Sequence, residues 1–254
     1  MIKTTEEITK IAEASQVVAK TLEMIEQHVK PGISTNELND ICHNFMTKEF
    51  NATPASLNYR GFPKSICTSL NHVICHGIPN DKKLKKGDII NIDITAEKNG
   101  YHGDSARMFV VGEASILAKR LIKVTQECLY LAIKQAVIGN HLGDIGHAIE
   151  THAHNNYFSV VEEYCGHGIG KTLHEDPQIL HYGNPGEGLE IVEGMVFTIE
   201  PMINAGKKQN KILPDGWTVV TKDRSLSAQW EHTIHITKNG PEILTLRKEE
   251  NINI

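Results

Sequence analysis

Apolar positions recur at helical spacing from Glu6 to Val29, through Ile8, Ile11, Val18, Leu22 and Ile25, and Pro31-Gly32 closes the stretch. Ser34 and Glu37 match a capping box, so a second helix is predicted to run through Phe50. A loop rich in Asn, Pro and Gly then extends to Lys64. From Ser65 the texture changes to short apolar or alternating runs, at Ser65–Leu70, Ile89–Thr95 and Ala106–Val111. Asn99-Gly100, between the last two, is a strong hairpin signal because both residues tolerate positive φ. Helical spacing returns at Leu117–Ala136 and Ile145–Tyr157, and strand texture at Val196–Ile199, Trp217–Thr221 and Thr233–Thr237. No low-complexity segment or linker divides the chain. The pattern predicts one α+β domain, with sheet in the middle and helices over it.

The order of motifs repeats. Gly87 to Asp93 is a glycine, an apolar strand and a carboxylate, as is Gly194 to Glu200; His76-Gly77-Ile78 is echoed by His167-Gly168-Ile169. Matching order suggests two related halves, about 1–112 and 113–254, within a single domain 1–254, each giving ligands to a shared centre. Short apolar matches also arise by chance.

The hairpin register carries the chemistry. If Asn99-Gly100 form a two-residue turn, Thr95 pairs with Asp104 and Asp93 with Ala106. The two aspartates are then diagonal neighbours on one face, roughly 7–8 Å apart. Burying two like charges there without a cation is too costly. Glu200 ends an apolar run and Glu231 opens the last strand; alone, each is equally well read as a salt-bridged structural acid. With the aspartates they complete a cage of four carboxylates. His167 lies among Gly166, Gly168 and Gly170, which leave its ring accessible. Four carboxylates and one imidazole suit two adjacent divalent cations better than one tetrahedral zinc. Such a pair activates water for hydrolysis. His76 and His174 suit acid–base or hydrogen-bonding roles. His141, His147, His152 and His154 read as a solvated helix face, and Lys82 to Lys86 as an exposed loop.

Composition narrows the class. The chain has 254 residues, 40% hydrophobic and 22% charged, with a formal net charge of −5. Those values suit an ordinary globular domain and count against a strongly basic nucleic-acid binder, so no DNA partner is expected. Five cysteines without a Cys-x-x-Cys argue for reduced thiols and a cytoplasmic location. No signal core or membrane-spanning run is present.

Six strings together resemble the bacterial type I methionine aminopeptidases: Cys75–Pro79, Asn91–Asp93, His102–Asp104, Gly166–Gly170, Phe197–Pro201 and Ser227–Thr233. The similarity runs from about Ile8 to Leu246. It implies the pseudo-symmetric "pita-bread" fold around a curved antiparallel sheet, and removal of N-terminal methionine from nascent polypeptides with small second residues. It implies that Asp93, Asp104, His167, Glu200 and Glu231 bind two divalent metals (Co, Fe, Mn or Zn), with Asp104 and Glu231 bridging. It places His174 near the scissile carbonyl, His76 near the adjacent peptide nitrogen, and Glu200 in proton transfer. Tyr59, Phe62, Cys67 and Trp217 would line the methionine pocket. Asn71, Val73 and Ser227 would hold a sodium or potassium ion. Lys207, Lys208 and Lys211 would form a transient ribosome contact, and the protein is expected to be a monomer.

Four positions depart from the familiar pattern: Ser56, Arg60, Phe62 and Leu173, all at or near the pocket. None removes a ligand. A proline-specific relative is the rival enzyme reading, although such enzymes usually carry an additional N-terminal domain. A binding module that has lost catalysis is the other rival, and relatives of that kind lose metal ligands.

Overall fold

The computed structural model describes residues 2–250. Among the described residues there are four α-helices: α1 (Thr5–Ile25), α2 (Thr35–Phe50), α3 (Ile116–Gln135) and α4 (Leu142–Asn155). Fifteen strands accompany them among the described residues. The first five are β1 (Thr53–Pro54), β2 (Cys67–Leu70), β3 (Val73–Cys75), β4 (Ile89–Lys98) and β5 (Tyr101–Val110). The next five are β6 (Ser159–Val160), β7 (Gly166–Gly168), β8 (Glu175–Ile179), β9 (Val196–Ile199) and β10 (Met202–Asn204). The last are β11 (Asn210–Ile212), β12 (Val219–Thr221), β13 (Ser227–Gln229), β14 (His232–Thr237) and β15 (Gly240–Ile243).

Ser34 caps α2 as predicted, with the Glu37 carboxylate accepting from the Ser34 backbone N–H at 2.7 Å. Thr4 and Glu7 form the same reciprocal cap on α1. Helix α1 ends at Ile25 and tightens into a 3₁₀ turn at Glu26–His28, four residues short of the predicted end. Helix α4 starts three residues early, because the Asp144 carboxylate accepts from the His141 N–H at 2.7 Å. His141 therefore serves at a helix end and is half-buried, and His152 contacts Glu127 at 2.9 Å. Neither is the freely solvated residue that the pattern suggested; His147 and His154 are exposed. Within the lysine-rich loop Leu84 is buried, so that loop is only partly a solvated run.

The hairpin register is as expected. Lys98 pairs with Tyr101, Thr95 with Asp104 and Asp93 with Ala106, across a turn whose central residues have φ of 55° and 78°. Strand β5 starts at Tyr101, five residues before the predicted Ala106. Strands β1, β2 and β5 all pair with β4 in the first sheet. A second sheet runs β15-β14-β9-β7-β8, and two three-stranded sheets, β13-β10-β6 and β11-β12-β3, join them. Helix α1 buries its apolar face on β4 and β5, and α2 packs beside it against α1 and β1, in one core around Leu22, Leu38, Ile92 and Ile94. Helices α3 and α4 cover the second sheet, around Leu129, Ile149, Phe197 and Ile234. Of the short strands, β2, β9 and β12 lie within predicted runs; the others escaped the pattern because two to five residues carry no legible period.

Gly103, next to Asp104, is where α1 rests on β5. A Cβ there would lie 2.4 Å from the Ser15 backbone nitrogen. Gly103→Ala is expected to destabilise the chain by about 1–3 kcal/mol, the usual cost of overpacking, as read by urea unfolding.

Candidate metal centre

Strand periodicity aims the acids. Asp93 and Asp104 point to one face of the β4–β5 hairpin. Glu200 follows the end of β9, and Glu231 lies between β13 and β14. His167 is the middle residue of β7, and its flanking glycines permit close packing: a Cβ at Gly166 would lie 2.3 Å from the Thr198 carbonyl oxygen. All five side chains line one cavity of about 660 Å³. Ligand atoms of Asp104, His167 and Glu231 lie within 4.8 Å of one another. His167 Nε2 is 3.6 Å from both Asp104 Oδ2 and Glu200 Oε1. Its Nδ1 sits 3.0 Å from the Gly168 carbonyl, to which it can only donate, so Nε2 is left with the lone pair that a cation needs.

Asp104, His167, Glu200 and Glu231 are buried and Asp93 is half-buried. Asp104 Oδ1 and Glu231 Oε1 are enclosed and have no hydrogen-bond partner. Burial and the neighbouring acids push the Asp93 and Glu231 carboxyls well above their usual range. Burial also pushes Glu200 up to about 7. His167 rises to about 9, because the nearby carboxylates of Asp104 and Glu200 outweigh desolvation. Unpartnered oxygens in a closed cluster of acids, with one free imidazole nitrogen, form a donor set that fits divalent cations.

A pH signature follows. Glu200 binds its proton more tightly folded (about 7) than at its ordinary 4.5, so between those values the native state holds more protons than the unfolded chain. Stability therefore falls as pH rises through that window. His167 acts in the same direction: its contribution is complete below its ordinary 6.5 and is lost as pH rises through about 9. Glu250, held down to about 2, matters only below about pH 4.5. His174 and His181, held down to about 3 by burial, act the other way below pH 6.5, so the fall is read above that value. Protein stripped by chelation is expected to melt lower near pH 9 than near pH 6.5, and saturating Mn²⁺ should remove the difference. Thermal melts with and without the ion check this.

His174 lies at the cavity mouth with its ring centroid 4.2 Å from that of His167. Tyr59 Oη is 2.7 Å from its Nδ1. Assigning the phenol as donor puts the imidazole proton on Nε2. Packing in the cavity, then the nearby charges of His167 and Arg60, hold His174 well below its usual range, so it is neutral at pH 7. His76, at φ 55°, stands edge-on to Tyr164 and Trp217. Phe62 meets Trp217 edge-on at 5.2 Å, and Cys67 pairs with Asp93 across β2 and β4. Together with Tyr59 they face the same cavity. Of the departures, Ser56 bonds Thr95 Oγ1 at 2.7 Å, Leu173 is buried, and Arg60 lies over the Tyr59 ring. Asn71, Val73 and Ser227 lie apart from this cavity lining; the Ser227 N–H donates to the Asn71 carbonyl at 2.9 Å, and Val73 is on β3.

Sequence reasoning missed the supports of Glu200. Thr198 Oγ1 donates to its Oε1 at 2.9 Å, and Gln229 Nε2 lies 3.3 Å from Oε2. Asn91 Nδ2 donates to the Gln229 carbonyl at 2.8 Å. A signal existed: Asn91, Thr198 and Gln229 each stand two positions before a site acid, on an otherwise apolar run. Tyr164, which walls His76, carried no such signal.

The chain is similar to known proteins along its length. The methionine aminopeptidase of Escherichia coli (strain K12) is 55% identical, over 99% of this chain and 96% of its own. That of Rickettsia prowazekii (strain Madrid E) is 55% identical over 96% and 95%. The crystal structure of the methionine aminopeptidase from Rickettsia prowazekii superposes with a TM-score of 0.95, covering 97% of this chain and 99% of that one. A prolidase from Pyrococcus horikoshii shares the fold at a TM-score of 0.78 and 23% identity, and the match spans 65% of its chain. The architecture is the pita-bread fold that the motifs implied. Residues 9–238 match the model of metallopeptidase family M24, and the chain belongs to that family of divalent-metal peptidases.

Proposed function

We propose that the chain is a methionine aminopeptidase, removing the N-terminal methionine from polypeptides whose second residue is small. The observation that carries the reading is the convergence of five candidate ligands beside an aromatic-walled pocket, on a chain 55% identical to enzymes of that name. Asp93, Asp104, His167, Glu200 and Glu231 would hold two divalent cations of the Co, Fe, Mn or Zn type, with Asp104 and Glu231 shared between them. Such cations, when bound, polarise a carbonyl and supply a nucleophilic water near neutral pH.

The chain's own groups orient and move protons. His174, protonated on Nε2 through its Tyr59 contact, donates to the scissile carbonyl oxygen as negative charge develops there. His76 faces the peptide nitrogen that follows. Glu200, each oxygen held by Thr198 or Gln229, relays a proton to the leaving amine. Tyr59, Phe62, Cys67 and Trp217 exclude water around the methionine side chain. The space beyond admits small second residues by steric exclusion.

Domain 1–254 acts as one catalytic unit: half 1–112 gives Asp93 and Asp104, and half 113–254 gives His167, Glu200 and Glu231. Nascent chains are the natural substrates of this reading, and a sodium or potassium ion sits at Asn71, Val73 and Ser227. Lys207, Lys208 and Lys211 serve for transient ribosome contact, although Lys208 already pairs with Glu162. The enzyme works as a monomer in the cytoplasm. No helix among the described residues is long and apolar enough to cross a membrane.

Chelated protein should regain cleavage of Met-Ala-Ser when each metal is added back in turn, with little action on x-Pro peptides. Preference for x-Pro substrates would overturn the assignment.

A further inference from the structure

Behind the carboxylate layer lies a second layer, built on a buried Arg247–Glu250 ion pair. Successive strand residues face opposite sides, so where Asp104 and Glu231 face the cavity, Ser105 and His232 face away. Arg247, on the segment after β15, is 1% exposed and fills the space between them. Its Nη1 donates to Ser105 Oγ at 3.0 Å, and Ser105 Oγ donates to the Glu231 carbonyl at 2.6 Å. Its Nη2 donates to Glu250 Oε1 at 2.8 Å, and that oxygen also sits 3.1 Å from His232 Nε2. Thr245 Oγ1 holds the other ring nitrogen of His232 at 2.9 Å. One guanidinium thus reaches the β5 residue next to Asp104 and, through Glu250, the residue next to Glu231.

We infer that Arg247 is a positioning residue, with Ser105 and Glu250 as its relays, that fixes the separation of the two shared acids, Asp104 and Glu231, from behind. The inference rests on the two-cation reading above. A buried charge is costly to place, and a fold that needed only packing at this spot would be served by an apolar side chain. The planar fork instead supplies two fixed directions, one to Ser105 on β5 and one to Glu250, which passes the contact on to His232 on β14. If acid spacing is what the fork sets, its loss falls first on the second cation, which requires both shared acids at once.

Manganese titration of the full chain tests this, by calorimetry and by the electron paramagnetic resonance of a coupled Mn²⁺ pair. Wild type is expected to take two ions. Ser105→Ala and Arg247→Met are expected to weaken the second ion about tenfold or more, the usual consequence of losing an outer support. They should also diminish the coupled-pair signal and lower kcat with KM for Met-Ala-Ser nearly unchanged. Arg247→Lys, which keeps charge without the fork, should not restore the pair. Ser105→Ala deletes only a hydroxyl, so it decides the matter should Arg247→Met fail to fold. A wild-type second-ion affinity and coupling in Ser105→Ala would overturn the inference alone. Uptake of a single ion by wild type would overturn the two-cation reading, and this inference with it.

Discussion

Replacing Asp104 by alanine is expected to abolish both divalent-cation uptake and peptide cleavage. Asp104 is where the site is most crowded: Oδ2 is 3.6 Å from His167 Nε2, while Oδ1 is buried without a partner. Its backbone is clamped from both directions by Thr233, whose Oγ1 donates to the Asp104 carbonyl at 2.8 Å and accepts from its N–H at 3.3 Å. The carboxylate has therefore no structural bond of its own to lose, and its removal acts on the cations. Losing several kcal/mol of metal-derived charge stabilisation lowers kcat/KM by about 10³-fold or more. The chelated variant should melt close to chelated wild type, because relief of repulsion among the acids is offset by loss of the Asp104 charge beside His167. With saturating Mn²⁺ wild type should melt higher, since only wild type is stabilised by binding. Metal titration, melting and a Met-Ala-Ser assay measure all three. Full activity in Asp104→Ala would contradict the role.

The second large effect separates chemistry from metal binding. His174→Ala is expected to lower kcat by about 10²–10³-fold, the range for loss of a single donor to a developing oxyanion. Metal content should not change. His174 touches the ligands only through ring packing on His167, and its one side-chain hydrogen bond is to Tyr59. Tyr59→Phe keeps the aromatic wall and frees the imidazole to turn, so its loss should be smaller and in the same parameter. Loss of bound metal in His174→Ala would move this residue from catalysis to support of the centre.

Legibility varied with length and period. The Ser34–Glu37 capping motif and the Asn99-Gly100 hairpin were readable, because each rests on local chemistry that needs no distant partner; the Thr4–Glu7 cap has the same pattern, and sequence reasoning missed it. The register of that hairpin put Asp93 and Asp104 on one face before any tertiary information. Thr198 and Gln229 were also within reach, since residues two apart on a strand share a face. By contrast, the His167 strand is three residues long and exists only by pairing with β8 and β9. Tyr164, which walls His76, lies in no regular element. Arg247 gives no local sign of burial: it precedes Lys248, Glu249 and Glu250 in what reads as a charged terminal segment. Its setting comes from β5 and β14, up to 142 positions away.

The amino-acid sequence alone determined the four helices, the longer strands, the turn and the acid pair on one face, because these depend on side-chain period and chemistry within about ten residues. Only the tertiary structure decided that Glu200, Glu231 and His167 meet the hairpin in one cavity, which neighbours hold each oxygen, and that a guanidinium stands behind them. Those facts depend on how separate sheets join. The free energy of that joining comes from apolar surface spread over the whole chain, so no short stretch of residues encodes it.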